Sequence, residues 1–179
     1  DPKRLESGLK VVNDKQGVSC QGVTDFRKFL DDKSLDAVFI ATPNWWHTPA
    51  ALLCMQAGKH VYVEKPGSQN AEEAVMIVEA SKKYNRVVQM GNQRRTWMKE
   101  AIEALHGGAI GTPRFGRGFY YNSRKTVAVN EKPAPKDTDF DLWQGPVPDD
   151  AKHDPKTIAH YDWHWFWHWG NGELGNNGI

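Results

Sequence analysis

Apolar and polar residues along the first two-thirds of the chain fall into two periods, which predict alternating strands and helices. The run Asp36–Ala41 is short, apolar and β-branched, the pattern of a buried strand. His60–Val63 repeats it and ends at Glu64-Lys65-Pro66; Arg86–Met90 repeats it again and ends at Gly91. Between these runs the period becomes helical. Thr24 and Asp25 offer N-caps to a short amphipathic helix holding Phe26, Phe29 and Leu30. Thr48-Pro49 reads as an N-cap and a first-position proline opening Ala50–Ala57, with Gly58 as the stop. Asn70 with Glu73 resembles a capping box for a helix from Ala71 to about Tyr84, with Ala74, Ile77 and Val78 as its apolar stripe. Trp97–His106, closed by Gly107-Gly108, makes a further helix. Strands separated by single helices form a parallel α/β sheet.

The pattern then changes. Arg114–Asn122 alternates like an exposed or edge strand, and Asn130–Pro155 is a polar, Pro- and Asp-rich stretch expected to be an ordered loop or linker. A second architectural unit is expected to begin near residue 114. The 179 residues allow one good core, or one core and part of a second. Lys and Arg number 23 against 22 Asp and Glu, so the net charge of +1 offers no electrostatic footprint for nucleic acid or an anionic membrane. No apolar run approaches the about 20 residues of a membrane helix. Cys20 and Cys54 lack C-x-x-C spacing, and Cys54, inside an apolar helix, is expected to be a small buried hydrophobe. A mean hydropathy of −0.67 with eight Trp, and a start at Asp1 without Met, suggest an incomplete unit.

In an open parallel sheet, ligands bind beyond the carboxyl ends of the strands. Thr42-Pro43-Asn44 with His47, Glu64-Lys65-Pro66, and Asn92-Gln93-Arg94-Arg95 each follow a strand, so the fold brings them to one rim. His47 lies just before a helix N-terminus, whose free N–H groups favour anions. Ordinary turn and cap chemistry explains any one cluster; the three together favour a binding rim. Lys65 is the sharpest candidate. Held at a strand end by Pro66, it can hydrogen-bond a substrate hydroxyl and act as proton acceptor beside a positive charge. The competing reading is a surface lysine paired with Glu64.

Two patterns near the end of the chain point elsewhere. Gly170-Asn171-Gly172-Glu173-Leu174-Gly175 matches the string G-x-G-x-x-G. Without a preceding strand and a following helix with its acidic residue, the expectation is a glycine-rich loop. His160, His164 and His168 recur every four residues and would align on a helix. The interleaved Trp163, Trp165, Trp167 and Trp169 favour aromatic packing, or stacking on a sugar-like face, over a metal site.

Ala41-Thr42-Pro43-Asn44, then His47 and Ala50, then the run Ala57–Pro66 ending in Glu64-Lys65-Pro66, resemble the Gfo/Idh/MocA family. This is the glucose–fructose oxidoreductase and inositol dehydrogenase family of nicotinamide-dependent enzymes. Gly91-Asn92-Gln93-Arg94, Ile110-Gly111-Thr112-Pro113 and Asp141–Pro146 extend the resemblance, the last toward a secreted or periplasmic-type bacterial subgroup. The Trp-rich run into Gly170–Ile179 is similar to the start of that subgroup's substrate-side domain. The resemblance implies an α/β fold: a partial Rossmann-type doubly wound parallel sheet followed by the start of an α+β substrate domain. Residues 1–113 would be the partial NAD(P)-binding domain, without its first strand and Gly-rich turn. Residues 114–179 would begin the C-terminal substrate and oligomerisation domain.

By the same resemblance Lys65 is the catalytic lysine near the nicotinamide of NAD or NADP. Thr42, Pro43, Asn44, His47, Glu64 and Lys65 line the cofactor with Gln93 close by, and Arg94 and Arg124 are candidates for substrate contact. Asp1 resembles the acidic residue that holds the ribose. The Gly-rich turn would precede Asp1, and the histidine and aspartate of a later catalytic motif would follow Ile179, so this chain alone is expected to bind cofactor weakly or not at all. The compartment, cytoplasmic or periplasmic, stays open, as do two other readings: an NAD-dependent glycoside hydrolase of the same family, and a non-enzymatic carbohydrate-binding piece built on Trp163–Trp169. The leading expectation is an oxidoreductase moving hydride to or from a sugar or cyclitol carbon. It would be a homo-oligomer when complete, with a small-molecule substrate, no metal, and no nucleic-acid or membrane partner.

Overall fold

The computed structural model describes residues 1–121, 135–154 and 162–177, apart from the side chains of Arg94 and Arg95. Strands β1 (Ala37–Ile40), β2 (His60–Val63) and β3 (Val88–Met90) form one parallel sheet in that order. The register sets Ile40 beside Val63 and Val63 beside Met90, so the three strands end level. Helix α2 (His47–Gln56) crosses from β1 to β2, and α3 (Ala71–Tyr84) crosses from β2 to β3.

The core forms where α2 meets the sheet. Ala50, Ala51, Cys54 and Met55 recur at helical spacing and pack with Ile40, Val61 and Val63. Full burial of Met55 contributes about 1.5–3 kcal/mol. Burial also pushes the Cys54 thiol up to about 11, as suits the inert apolar filler expected of it. On the other side of the sheet Phe39 stacks on Tyr62 at 4.5 Å and 18° yet stays 64% exposed. Among the described residues no helix is long and apolar enough to cross a membrane.

Most predicted elements are present, several with shifted edges. Helix α1 (Pro2–Gln16) is capped by Asp1, whose carboxylate accepts from the Lys3 and Arg4 amides. The segment with Phe26 and Phe29 is a single 3-10 turn capped by Asp25, not by Thr24. Thr48 is not the N-cap of α2: a 3-10 turn over Asn44–Trp46 runs straight into the helix at His47. Pro49 then sits in the first turn, where its missing N–H costs nothing. The box at α3 is offset by one residue, because Asn70 accepts from the Glu73 amide while Glu73 accepts from the Gln69 amide. The buried face of α3 carries Ile77 and Ala80; Ala74 is exposed and Val78 is 52% exposed. The helix expected over Trp97–His106 breaks at Met98 into α4 (Arg94–Trp97) and α5 (Lys99–His106).

Arg114–Tyr121 forms no strand, since no described strand lies beside it to satisfy its backbone groups. Instead of one unbroken loop, the stretch expected over Asn130–Pro155 contains α6 (Phe140–Gln144), capped by Asp139, and a 3-10 turn over Asp149–Ala151. Its anchors are two neighbouring tryptophans. The Trp45 indole donates to Trp143 O at 2.9 Å and the Trp46 indole to Leu142 O at 3.0 Å. Gly145 ends α6 at φ +53°, directly under the Trp46 indole, where any Cβ would overlap the ring.

Trp45, Val147 and Trp169 are the buried members of a second core cluster, with Trp143, Trp163 and Phe166 packed against it. Of the run, Trp169 is fully buried and Trp163 packs half-buried against it, the aromatic packing expected; Trp165 is half-buried and Trp167 is left 89% exposed. His164 lies in a 3-10 turn over Asp162–Trp165, so the expected helical row of histidines does not form, and His160 lies outside the described residues. Among the described residues no cluster of potential metal ligands exists. The glycine-rich stretch is not a loop but ends in helix α7 (Gly172–Asn177).

Trp169→Ala should destabilise the fold by about 3–5 kcal/mol in urea unfolding. Val78→Ala, on the exposed face of α3, should stay within about 0.5 kcal/mol. His153 sits 4.4 Å from the Trp169 ring, and burial, then His168, holds its pKa below the ordinary 6.5. The folded state therefore favours neutral His153, so its contribution is present above that value and lost as pH falls below it. Melting temperature should drop on acidification to about pH 5, and His153→Leu should flatten that drop.

Candidate active site

The level strand ends set the site. Thr42-Pro43-Asn44 leaves β1, Glu64-Lys65-Pro66 leaves β2 and Asn92-Gln93 leaves β3, all at the same edge of the sheet. The Lys65-Pro66 bond is cis. His47 is 1% exposed, and both of its ring nitrogens face backbone carbonyls: Nδ1 lies 2.5 Å from Pro66 O and Nε2 lies 2.8 Å from Thr42 O. The first two turns are thereby tied to each other through one ring.

Glu64 and Lys65 do not pair among the described residues, although they are neighbours in the chain. The Glu64 carboxylate accepts from Gln93 Nε2 at 2.7 Å and from the Lys65 amide at 3.3 Å. Gln93 also donates to Tyr62 Oη at 3.2 Å, so a side-chain link joins the ends of β2 and β3. Lys65 Nζ instead donates to the Asn176 carbonyl of α7. Asn44, nearly buried, donates to Asn171 Oδ1 at 3.1 Å, and Asn171 donates in turn to Gln69 O at 2.6 Å.

Sequence reasoning missed Tyr62, Asn171 and Asn176 as part of this rim. Tyr62 is hidden inside a β-branched run, where a tyrosine reads as strand filler. Asn171 lies 127 positions from Asn44, and no local pattern relates them. Gly91 did carry a signal: a Cβ there would meet Tyr62 Oη at 2.7 Å and Gln93 Nε2 at 3.2 Å. Arg94 opens α4, its side chain outside the described set, and Arg124 lies wholly outside the described residues.

Beside the rim runs a cleft of about 680 Å³, bordered by Asp1, Asp25, Arg27, Thr42, Pro43 and Trp46. Asp25 and Arg27 form an ion pair at 2.6 Å, and that hydrogen bond holds the Asp25 carboxyl below the usual carboxylate range. Thr42 Oγ1 is buried and, among the described residues, has no hydrogen-bond partner.

Residues 3–92 match the oxidoreductase family with an NAD-binding Rossmann fold known as Gfo/Idh/MocA. That is half of the chain, and the protein belongs to this family. A glycosyl hydrolase family 109 protein of Saccharopolyspora erythraea is 36% identical over 112 residues, covering 62% of this chain and 24% of that protein. Inositol 2-dehydrogenase of Salmonella paratyphi B is 30% identical over 116 residues, covering 62% of this chain and 34% of that enzyme. Among solved structures, myo-inositol 2-dehydrogenase of Lactobacillus plantarum superimposes with a TM-score of 0.51 at 27% identity, over 57% of this chain and 31% of that one. The chain thus spans about a quarter to a third of the length of the curated relatives it matches.

The residues present fit the family's dinucleotide at the rim. A buried hydroxyl without a partner costs about 1–3 kcal/mol, which a ligand hydrogen bond to Thr42 would remove. The same threonine borders the cleft shared with Asp1.

Gly91→Ala should destabilise the protein by about 1–3 kcal/mol in thermal unfolding, because Tyr62 Oη or Gln93 must move. In a Tyr62→Phe background the same change should cost less, and a double-mutant cycle measures the difference.

Proposed function

We propose that this chain is the nicotinamide side of an NAD(P)-dependent dehydrogenase that moves hydride to or from a sugar or cyclitol carbon. The observation that carries the reading is the gathering of Thr42-Pro43-Asn44, Glu64-Lys65 and Gln93 at one rim of an NAD-binding fold. The names of two relatives, inositol 2-dehydrogenase and levoglucosan dehydrogenase, support the substrate class. On this reading residues 1–113 belong to the cofactor domain and residues 114–179 to the start of the substrate domain.

The roles follow from chemistry. Thr42 and Asn44 hold the cofactor with Pro43 stiffening their turn, and Asp1 takes the ribose end of the cleft. Glu64, kept in place by Gln93, lines the cofactor without engaging the lysine ammonium. Lys65 exchanges its present carbonyl partner for the substrate hydroxyl and, as the neutral amine, accepts the proton released as the carbonyl forms, becoming the ammonium. The nicotinamide, when bound, supplies the hydride acceptor or donor. Arg94 and Arg124 are candidates for holding further hydroxyls.

Lys65→Met in the full-length protein should lower kcat by about 10²–10⁴, the usual worth of a positioned acid–base group, with NADH binding by fluorescence little changed. Equal loss of NADH binding would show Lys65 to be a cofactor anchor instead. Net NADH production from a sugar or cyclitol is the expected turnover. Glycoside cleavage, the activity in the name of the 36%-identical glycosyl hydrolase family 109 relative, without net NADH production would overturn the dehydrogenase reading.

A further inference from the structure

We infer that the turn Asp137-Thr138-Asp139, delivered by the second half of the chain, walls the cofactor cleft: the Thr138 hydroxyl bonds the adenosine end of the dinucleotide, and the flanking carboxylates select NAD over NADP. The inference rests on the cofactor reading above and adds to it the residues that hold the far end of the ligand.

The cleft of about 680 Å³ takes in Thr42 and Pro43, where β1 ends, but Lys65 does not border it. An extended dinucleotide with its nicotinamide at Lys65 therefore places its adenosine here. Phe26, Trp46 and Leu142 give the cleft an apolar lining suited to a purine ring. Two hydroxyls on its border, Thr42 Oγ1 and Thr138 Oγ1, are buried and, among the described residues, have no hydrogen-bond partner. A buried polar group in that state is uncommon and unfavourable. Rotation between staggered χ1 wells swings a threonine hydroxyl toward the ligand, where adenosine offers donors in its ribose hydroxyls and acceptors in its ring nitrogens.

The turn that carries Thr138 is fixed by the protein itself. The Thr138 amide donates to Pro135 O at 2.9 Å, and Asp139 caps α6 by accepting from the Leu142 amide at 2.9 Å. The Trp46 indole, itself on the cleft border, holds Leu142 O at 3.0 Å.

Charge decides which dinucleotide fits. Among the described residues on the border, Asp1, Asp25, Asp137 and Asp139 stand against Arg27 and Lys28. Asp25 holds Arg27 through both carboxylate oxygens, and Asp139 adds to the field that keeps Arg27 charged. The N-terminus of α1, which would otherwise favour an anion, is already capped by Asp1. A 2′-phosphate would bring a further charge of about −2 to this acidic border. A ribose with free hydroxyls brings none and can donate to the carboxylates.

Fluorescence titrations of the full-length protein with NADH and NADPH, paired with melting temperatures of the ligand-free protein, test both roles. NADH should bind about tenfold or more tightly than NADPH; equal or tighter NADPH binding overturns the selection. Thr138→Val keeps the side-chain shape and removes only the hydroxyl. It should leave the ligand-free melting temperature unchanged or raised and weaken NADH binding about tenfold. Unchanged NADH affinity overturns the role of Thr138, and so does a lower melting temperature, which marks a structural hydroxyl. Thr42→Val separates this inference from the cofactor reading. If it weakens NADH binding while Thr138→Val does not, the dinucleotide occupies the cleft and the wall is not part of its site. Asp137→Asn with Asp139→Asn, in which asparagine preserves the α6 cap, should tighten NADPH about tenfold with NADH little changed. Unchanged NADPH affinity overturns the selection. No binding of either dinucleotide overturns the cofactor reading and the inference with it.

Discussion

Ile40 and Val63 are register partners at the ends of two parallel strands, and the chain has to leave both in the same direction. Val63 and Met90 impose the same condition one strand further on. The placement of Thr42–Asn44, Glu64–Lys65 and Gln93 at the rim follows from that constraint, because parallel pairing puts successive strand exits at one edge. Helix α2 makes the constraint rigid. Its buried Ala51, Cys54 and Met55 seal the sheet, while its first residue reaches back to the carbonyls of both exits. Packing and site geometry are therefore the work of one helix.

The second half of the chain is organised by contacts made from the first. Trp45 and Trp46 stand in the turn after β1, and their indole N–H groups seize successive carbonyls of α6. A polar, proline-rich stretch with no periodicity gains a five-residue helix because two fixed donors wait for it. The aromatic cluster then carries the end of the chain to the rim, where Asn171 meets Asn44 and Asn176 meets Lys65. Residues from both halves build the site, so a change in the tryptophan cluster is a change one step from the lysine.

Glu64 and Lys65 show how backbone direction separates neighbouring charges. Gln93, delivered by the next strand, takes the carboxylate, and the ammonium reaches across to α7. An exposed Glu–Lys pair would be worth little and would hold the lysine in place for nothing. With the carboxylate committed elsewhere, the lysine's hydrogen bond among the described residues is to the Asn176 carbonyl of α7.

The amino-acid sequence by itself determined the strand His60–Val63, the helix Ala71–Tyr84 and the parallel α/β class, because these rest on short-range periodicity and caps such as Asn70. It also pointed to Lys65 and the turn from Thr42 to Asn44, since strand-end placement follows from topology once the strands are known. It misjudged the start of α2, the buried stripe of α3 and the end of the chain. There the outcome depends on which neighbour supplies a partner: Thr48 lost its capping role to an incoming 3-10 turn, and Val78 met no layer. Only the tertiary structure could decide that four interleaved tryptophans divide between core and surface, or that Asn171 closes on Asn44 across 127 positions. Local sequence encodes torsional preference and apolar spacing; partners brought together by chain return are set by the packing of the whole, and the site is made of both.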